Sequence, residues 1–214
     1  MLRLTPVVKN LIIINVIIFL AGALAPKADF GGCFGQPGHP QGLNNIISGY
    51  LAMYDASNTQ CFKPYQLFTY MFVHGDFMHI FFNMLTLAFM GPILESFWGP
   101  KRFTTFYLAT GIGAGVFSIV LSSFLGIGQF GTMVGASGAI YGVLMGFGML
   151  FPNMEVMLLI PPIPIKAKYL VFLLGGLTFL MDTSGRVAHF THLGGIIFAF
   201  ILIRLWRHQG GSHY

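Results

Sequence analysis

The sequence predicts an all-α membrane protein, a bundle of six transmembrane helices with a long outer loop after the first. Three observations carry the prediction. Hydrophobic residues fill 55% of the 214 positions and charged residues only 8%, against about 25% charged in a soluble domain. Apolar runs long enough to enter a bilayer recur along the whole chain. The few basic residues then fall mostly on one side of the runs. A soluble globular protein would need more charged surface, and a disordered chain would hold far less apolar material. The net charge of +5 therefore carries no nucleic-acid signal. The lipid bilayer is the first partner implied.

The first span is read over 10–25. Arg3 and Lys9 before it and Ala23-Leu24-Ala25 at its end imitate a signal peptide with its cleavage site. In a chain that is otherwise all membrane, the helix is read as retained. The connection from Pro26 to about Asp76 is too long to be idle and is expected to fold on the membrane surface. Both cysteines, Cys33 and Cys61, lie in it. A disulfide stapling the loop and two unpaired thiols packing as small apolar groups are both open. The second span covers 77–97, the third 103–125, and the fourth 137–151, where Pro152 stops it. The fifth covers 167–181 and the sixth 189–206. All but the first two are rich in Gly, Ala, Ser or Thr, which suits close helix packing in lipid. With no tandem repeat and no room for a soluble unit, residues 1–214 read as a single membrane domain.

Orientation follows from the basic residues. With the N-terminus inside, the cytoplasmic segments carry Arg3, Lys9, Lys101, Arg102, Lys166, Lys168, Arg204 and Arg207, and the outer ones only Lys27, Lys63 and Arg186. That is a strong positive-inside bias. Asp29, Asp55, Asp76 and Asp182 fall outside. Both termini are expected in the cytoplasm.

Polar side chains in lipid are costly and ask for a reason. The second span opens with His79 and Asn83, the fourth with Gly135-Ala136-Ser137-Gly138, and the sixth with His189 and His192. All three spans run from outside to inside, so these groups share one depth. His79 and Asn83 share a helix face, as do Ser137 and Tyr141. His192, Gly195 and Ala199 form a face that is small apart from the histidine. Gly138, Gly142 and Gly146 make a small-residue stripe that admits another helix. A serine and a histidine could thereby meet within hydrogen-bond reach, as nucleophilic catalysis requires. The fourth span rises only about 22 Å against a hydrocarbon core of about 30 Å. Its outer end should be sunken, with Gly126 to Val134 dipping to meet it inside protein or water. Each piece alone has a plainer reading: Gly-Ala-Ser-Gly as a packing motif, an intramembrane serine bonded to its own helix, Glu95 as a helix-packing hydrogen-bond partner. Their conjunction is what points to a site.

These residues resemble the rhomboid family of intramembrane serine proteases, in its bacterial six-helix form. The likeness runs through His74-Gly-Asp-Phe-Met-His79-Ile-Phe-Phe-Asn83, Glu95, Gly135-Ala-Ser137-Gly138 with Tyr141, and His192-Leu-Gly-Gly195. It implies Ser137 as nucleophile and His192 as general base, with Gly195 three residues after the base as the family pattern has it. His79, Asn83 and the Ser137 N–H would form the oxyanion hole, and Tyr141 would pack on His192. Gly135, Gly138 and Gly195 would support them. Three positions depart from the pattern: Thr191 stands where Ala is usual, Ala199 where Gly is common, and Tyr65-Gln66 where many members have Trp-Arg. The last bears on how the first loop is anchored.

The resemblance further implies a multi-pass protein of a bacterial inner (plasma) membrane that cleaves transmembrane-helix substrates near the outer face, with lateral access past the fifth span and its outer loop. No cofactor and no metal are implied. Two alternatives stay open. A non-catalytic rhomboid-like binding or dislocation protein would usually lack the serine or the histidine. A haem-binding membrane protein would use the histidines as axial ligands.

Overall fold

The computed structural model describes residues 3–28, 33, 45–127, 131–157, 162–181 and 186–209. Asp29, Asp182, part of the Gly-rich 126–134 stretch and most of the loop after the fifth span lie outside the described residues. The chain runs α1 (Pro6–Leu24), α2 (Ile46–Leu51), β1 (Met53–Tyr54), α3 (Gln66–Thr69) with a 3-10 turn (Tyr70–Phe72), and α4 (Phe77–Trp98). It continues through α5 (Pro100–Ile119) with a π-type turn (Val120–Phe124), β2 (Thr132–Met133), α6 (Ser137–Leu150), β3 (Glu155–Met157), β4 (Pro164–Lys166), α7 (Ala167–Met181) and α8 (Arg186–Gln209).

Six apolar helices thus stand where six spans are expected. Four of them, α1, α4, α5 with its π-type turn, and α8, are long and apolar enough to cross a membrane. Helices α6 and α7 are shorter. The outward surface of the helices is greasy: Leu24 of α1, Phe77 and Phe82 of α4 and Phe172 of α7 are 87%, 65%, 56% and 74% exposed. Such a surface is stable in lipid and aggregates in water. The chain is an all-α membrane protein.

The helix ends differ from the hydropathy reading. Helix α1 begins at Pro6 and α5 at Pro100, each a proline at the first helical turn, where its missing N–H costs nothing. Helix α8 extends past its apolar stretch at both ends. Hydropathy marks the apolar interior of a helix, whereas backbone hydrogen bonds set its ends.

Helix α6 is central, touching α4, α5, α7 and α8. Its glycine stripe receives α5: a Cβ on Gly138 would lie 2.6 Å from Ala114 Cβ, and one on Gly142 2.6 Å from Thr110 Cβ. Consecutive glycines then wedge α8 between the two. A Cβ on Gly194 would sit 3.0 Å from the Ala114 backbone of α5, and one on Gly195 only 2.0 Å from the Gly138 carbonyl oxygen of α6. Around these contacts Leu87, Phe103, Tyr107, Phe147 and Leu170 are buried.

Glu95 resolves as the packing partner expected. Its buried carboxylate accepts from Val7 N (3.1 Å), Val8 N (3.0 Å) and the Thr5 hydroxyl. The two amides are among the donors left without partners at the start of α1, so α4 caps α1 across the bundle.

The described residues of the long first loop are folded. Asn45 caps α2 by accepting from Ser48 N (2.9 Å). Cys33 and Cys61 are joined in a disulfide with Cα atoms 5.7 Å apart, which settles the two open readings in favour of the bridge. Buried Gln66 anchors the same region. Its oxygen accepts from Lys63 N (3.0 Å) and its amide donates to Cys61 O (3.2 Å) and Tyr50 O (3.5 Å). Asp55 clips the loop to the end of α5, accepting from Ser57 N (2.9 Å), Ser57 Oγ (2.8 Å) and Ser123 Oγ (3.1 Å). Burial pushes the Asp55 carboxyl up in pKa, but hydrogen bonds from Ser57, Ser122 and Ser123 outweigh it and hold the group below its ordinary value. Strand β1 pairs antiparallel with β2, Met53 opposite Met133 and Tyr54 opposite Thr132. The loop is therefore tied to the segment that leads into α6.

Candidate functional site

Ser137 is the first residue of α6, and Ala136 before it still has helical backbone angles. The Ser137 N–H is thus one of the donors at a helix start that have no intrahelical acceptor. The approach is set by Gly135, whose φ of +117° disfavours a side chain. A Cβ there would also lie 2.6 Å from His79 Nε2. The imidazole of His79 therefore lies edge-on against the Gly135 backbone, two residues before Ser137. The Gly135 N–H is held by Tyr70 O at 2.9 Å.

His79 and Asn83 lie one turn apart on α4. Asp76 caps that helix by accepting from His79 N at 2.8 Å, the arrangement favoured for an acidic residue at this position. Buried Asn83 spends one amide hydrogen on His79 O (2.9 Å), and its second remains for another acceptor. His79 and Ser137 are both half-buried.

On the other flank, the Tyr141 ring stacks on His192 with centroids 4.1 Å apart and planes 20° from parallel. The Tyr141 hydroxyl donates to Leu174 O of α7 at 3.1 Å. Tyr141 is one turn beyond Ser137, so the stack and the Gly195–Gly138 contact together set α8 at the level of the α6 start. Of the two histidines that open the sixth span, His192 is the one against Tyr141. The structure thus gathers His79 and Asn83 on α4, Gly135, Ser137, Gly138 and Tyr141 on and before α6, and His192 and Gly195 on α8 at one end of the bundle.

Two residues without an assigned role in the sequence reading join them. His74, 5% exposed, stands edge-on to His79 with ring centroids 5.0 Å apart and accepts from Ala136 N at 3.5 Å. Burial, with neighbouring His79 acting the same way, pushes its pKa down from 6.5 to about 3. A neutral ring is the state that can accept from Ala136 N–H. Thr191 Oγ1, one residue before His192, lies 2.9 Å from Ser118 Oγ of α5 and 3.3 Å from Met133 Sδ. A signal for the α4 cap was present in Asp76 directly before an apolar helical run. The partners of His74 and Thr191 are 62 and 73 residues away, beyond any local pattern. Among the described residues, no three His, Cys, Asp or Glu side chains cluster as a metal site would require.

Fold and site define a polytopic helical membrane protein with polar groups from three helices gathered at one end of an apolar bundle. The model of the Rhomboid domain matches residues 62–209, well over half of the chain. The chain belongs to the rhomboid family. It is 34% identical over 93 residues to Rhomboid protein 1, mitochondrial, of Saccharomyces cerevisiae, covering 44% of this chain and 27% of that protein. With RHOMBOID-like protein 1 of Arabidopsis thaliana it shares 28% over 140 residues, 65% of this chain and 34% of the relative. With the rhomboid protease GluP of Bacillus subtilis it shares 28% over 136 residues, 64% of this chain and 25% of the relative. The chain thus spans about a quarter to a third of the length of these three relatives. The family includes proteases, as the name of the Bacillus protein states.

Proposed function

We propose that this chain is an intramembrane serine endopeptidase that cleaves transmembrane helices of membrane-protein substrates through Ser137 and His192. The observation that carries the reading is the stack of Tyr141 on His192 beside the backbone contact of Gly195 with Gly138. These two contacts put a serine at a helix start and a histidine on the neighbouring helix at the same level of the bundle. Membership of a family that includes a named protease supports it.

In this mechanism neutral His192 takes the Ser137 proton as Oγ attacks the scissile carbonyl, then returns a proton to the leaving amine. Negative charge grows on the carbonyl oxygen in a low-dielectric site, where aimed donors act most strongly. The Ser137 N–H, His79 and the second amide hydrogen of Asn83 supply them. The Tyr141 ring stacked on it orients the imidazole by packing. The substrate helix must unwind locally before its backbone can reach Ser137, because helical carbonyls and amides are already paired. The reading includes a bacterial inner membrane with both termini cytoplasmic and the site toward the outer face. The distribution of basic residues supports that orientation. Residues 1–214 would then act as one membrane domain.

The test is cleavage of a single-span reporter by the protein in lipid vesicles. Ser137→Ala and His192→Ala are each expected to abolish the cut while the thermal midpoint stays near that of wild type. His79→Ala and Asn83→Ala should each lower turnover by about 100-fold or more. Undiminished cleavage by Ser137→Ala or His192→Ala overturns the dyad.

A further inference from the structure

We propose that Thr191 is a positioning residue for His192, fixing the general base through a hydroxyl contact with Ser118. The proposal rests on the Ser137–His192 reading and goes beyond it to ask what holds the base still.

Thr191 and Ser118 are 3% and 2% exposed, so water does not compete for their hydroxyls. Their oxygens are 2.9 Å apart, Ser118 Oγ is 3.1 Å from Ala114 O, and Thr191 Oγ1 is 3.3 Å from Met133 Sδ. Two hydroxyl protons have an outlet in either direction. Thr191 can donate to Ser118 while Ser118 donates to Ala114 O, or Ser118 can donate to Thr191 while Thr191 donates to the sulfur. Both arrangements leave each hydroxyl satisfied.

Thr86, Thr104 and Thr110 each bond a carbonyl of their own helix, Phe82, Pro100 and Phe106. Such bonds fix nothing outside the helix. Thr191 reaches a side chain on α5 and the sulfur of β2, the strand that leads into Gly135–Ser137. Its methyl carbon lies 3.3 Å from where a Cβ on Gly138 would be. One β-branched side chain, stiff about χ1, therefore meets α5, β2 and α6 in the residue next to the base. Gly194 and Gly195 set how close α8 comes but carry no directional contact. The Thr191 hydroxyl adds one, opposing rotation of α8 about its own axis. That rotation would swing the imidazole away from Ser137 Oγ.

The experiment compares Thr191→Val, Thr191→Ser and Ser118→Ala with wild type in lipid vesicles. It reads kcat and KM on a single-span reporter, labelling of Ser137 by a fluorophosphonate, and the thermal midpoint. Valine keeps the shape and removes the hydroxyl, and Ser118 retains Ala114 O as acceptor for its proton. Since a misplacement of about 1 Å can cost about 100-fold, Thr191→Val should lower kcat and the labelling rate by about tenfold or more, with KM nearly unchanged. Ser118→Ala should do the same, and Thr191→Ser should restore most of the rate. Wild-type kcat in Thr191→Val overturns the proposal. So does a parallel loss in Thr191→Val and Thr191→Ser that tracks the thermal midpoint, which would make Thr191 a packing residue. A wild type that neither cleaves nor labels at Ser137 brings down the dyad reading itself, and the proposal with it.

Discussion

His74 shows how much one buried side chain can hold. It contacts His79 and the amide just before Ser137, and its ring is neutral in the fold down to a pKa of about 3 against 6.5 ordinarily. Below about pH 6.5 the unfolded chain therefore takes up a proton that the folded chain refuses. Stability must fall on acidification through that window, by up to about 1.4 kcal/mol per pH unit from this group. Thermal midpoints measured between pH 7 and pH 4 should drop more steeply for wild type than for His74→Asn. Parallel curves would remove His74 from the balance. The same residue marks the limit of what a sequence reveals. Ser137, Tyr141, His79 and Asn83 announce themselves through one-turn spacing and their rarity in apolar spans. His74 stands five residues before His79 and Thr191 one before His192, yet their roles depend on partners across the fold.

At the scale of elements, legibility follows the length of the pattern. Helix α7, read from composition as 167–181, is Ala167–Met181, because its apolar stretch and its helix coincide. Strands β1 and β2 have two residues each, too few to show alternation, and their pairing joins segments nearly eighty positions apart. The first loop owes its shape to such sparse contacts: that pairing, the Gln66 hydrogen bonds, the Asp55 clip and the Cys33–Cys61 bridge. The bridge closes a segment with a sequence separation of 28, and removing a disulfide of this kind typically costs about 2–4 kcal/mol. Cys33→Ser with Cys61→Ser should lower the thermal midpoint and, through β1–β2, lower reporter cleavage. A fully active, equally stable double variant would make the bridge incidental.

For the molecule as a whole, the proposed orientation rests on the placement of the few charges. Tags at the two termini, probed in sealed right-side-out vesicles, should both resist added protease and both become sensitive on permeabilisation. A single accessible tag would break the six-span topology. The helices also differ in reach. Helix α6, with 14 residues, rises about 21 Å, less than a hydrocarbon core of about 30 Å. On the proposed function, the start of this short helix lets a substrate backbone and water reach Ser137 without crossing the full bilayer.

Glu95 has a consequence for biogenesis. The donors it satisfies belong to residues 87 to 90 positions earlier, so during synthesis α1 emerges long before its acceptor does. Until α4 arrives, the first turn of α1 must stay at the headgroup level, where lipid and water can serve its amides. Asn15, which is fully buried in the finished bundle and donates to Leu11 O, is exposed to the same wait. The first helix of this protein is therefore inserted provisionally and seated only when the next long apolar helix has been made.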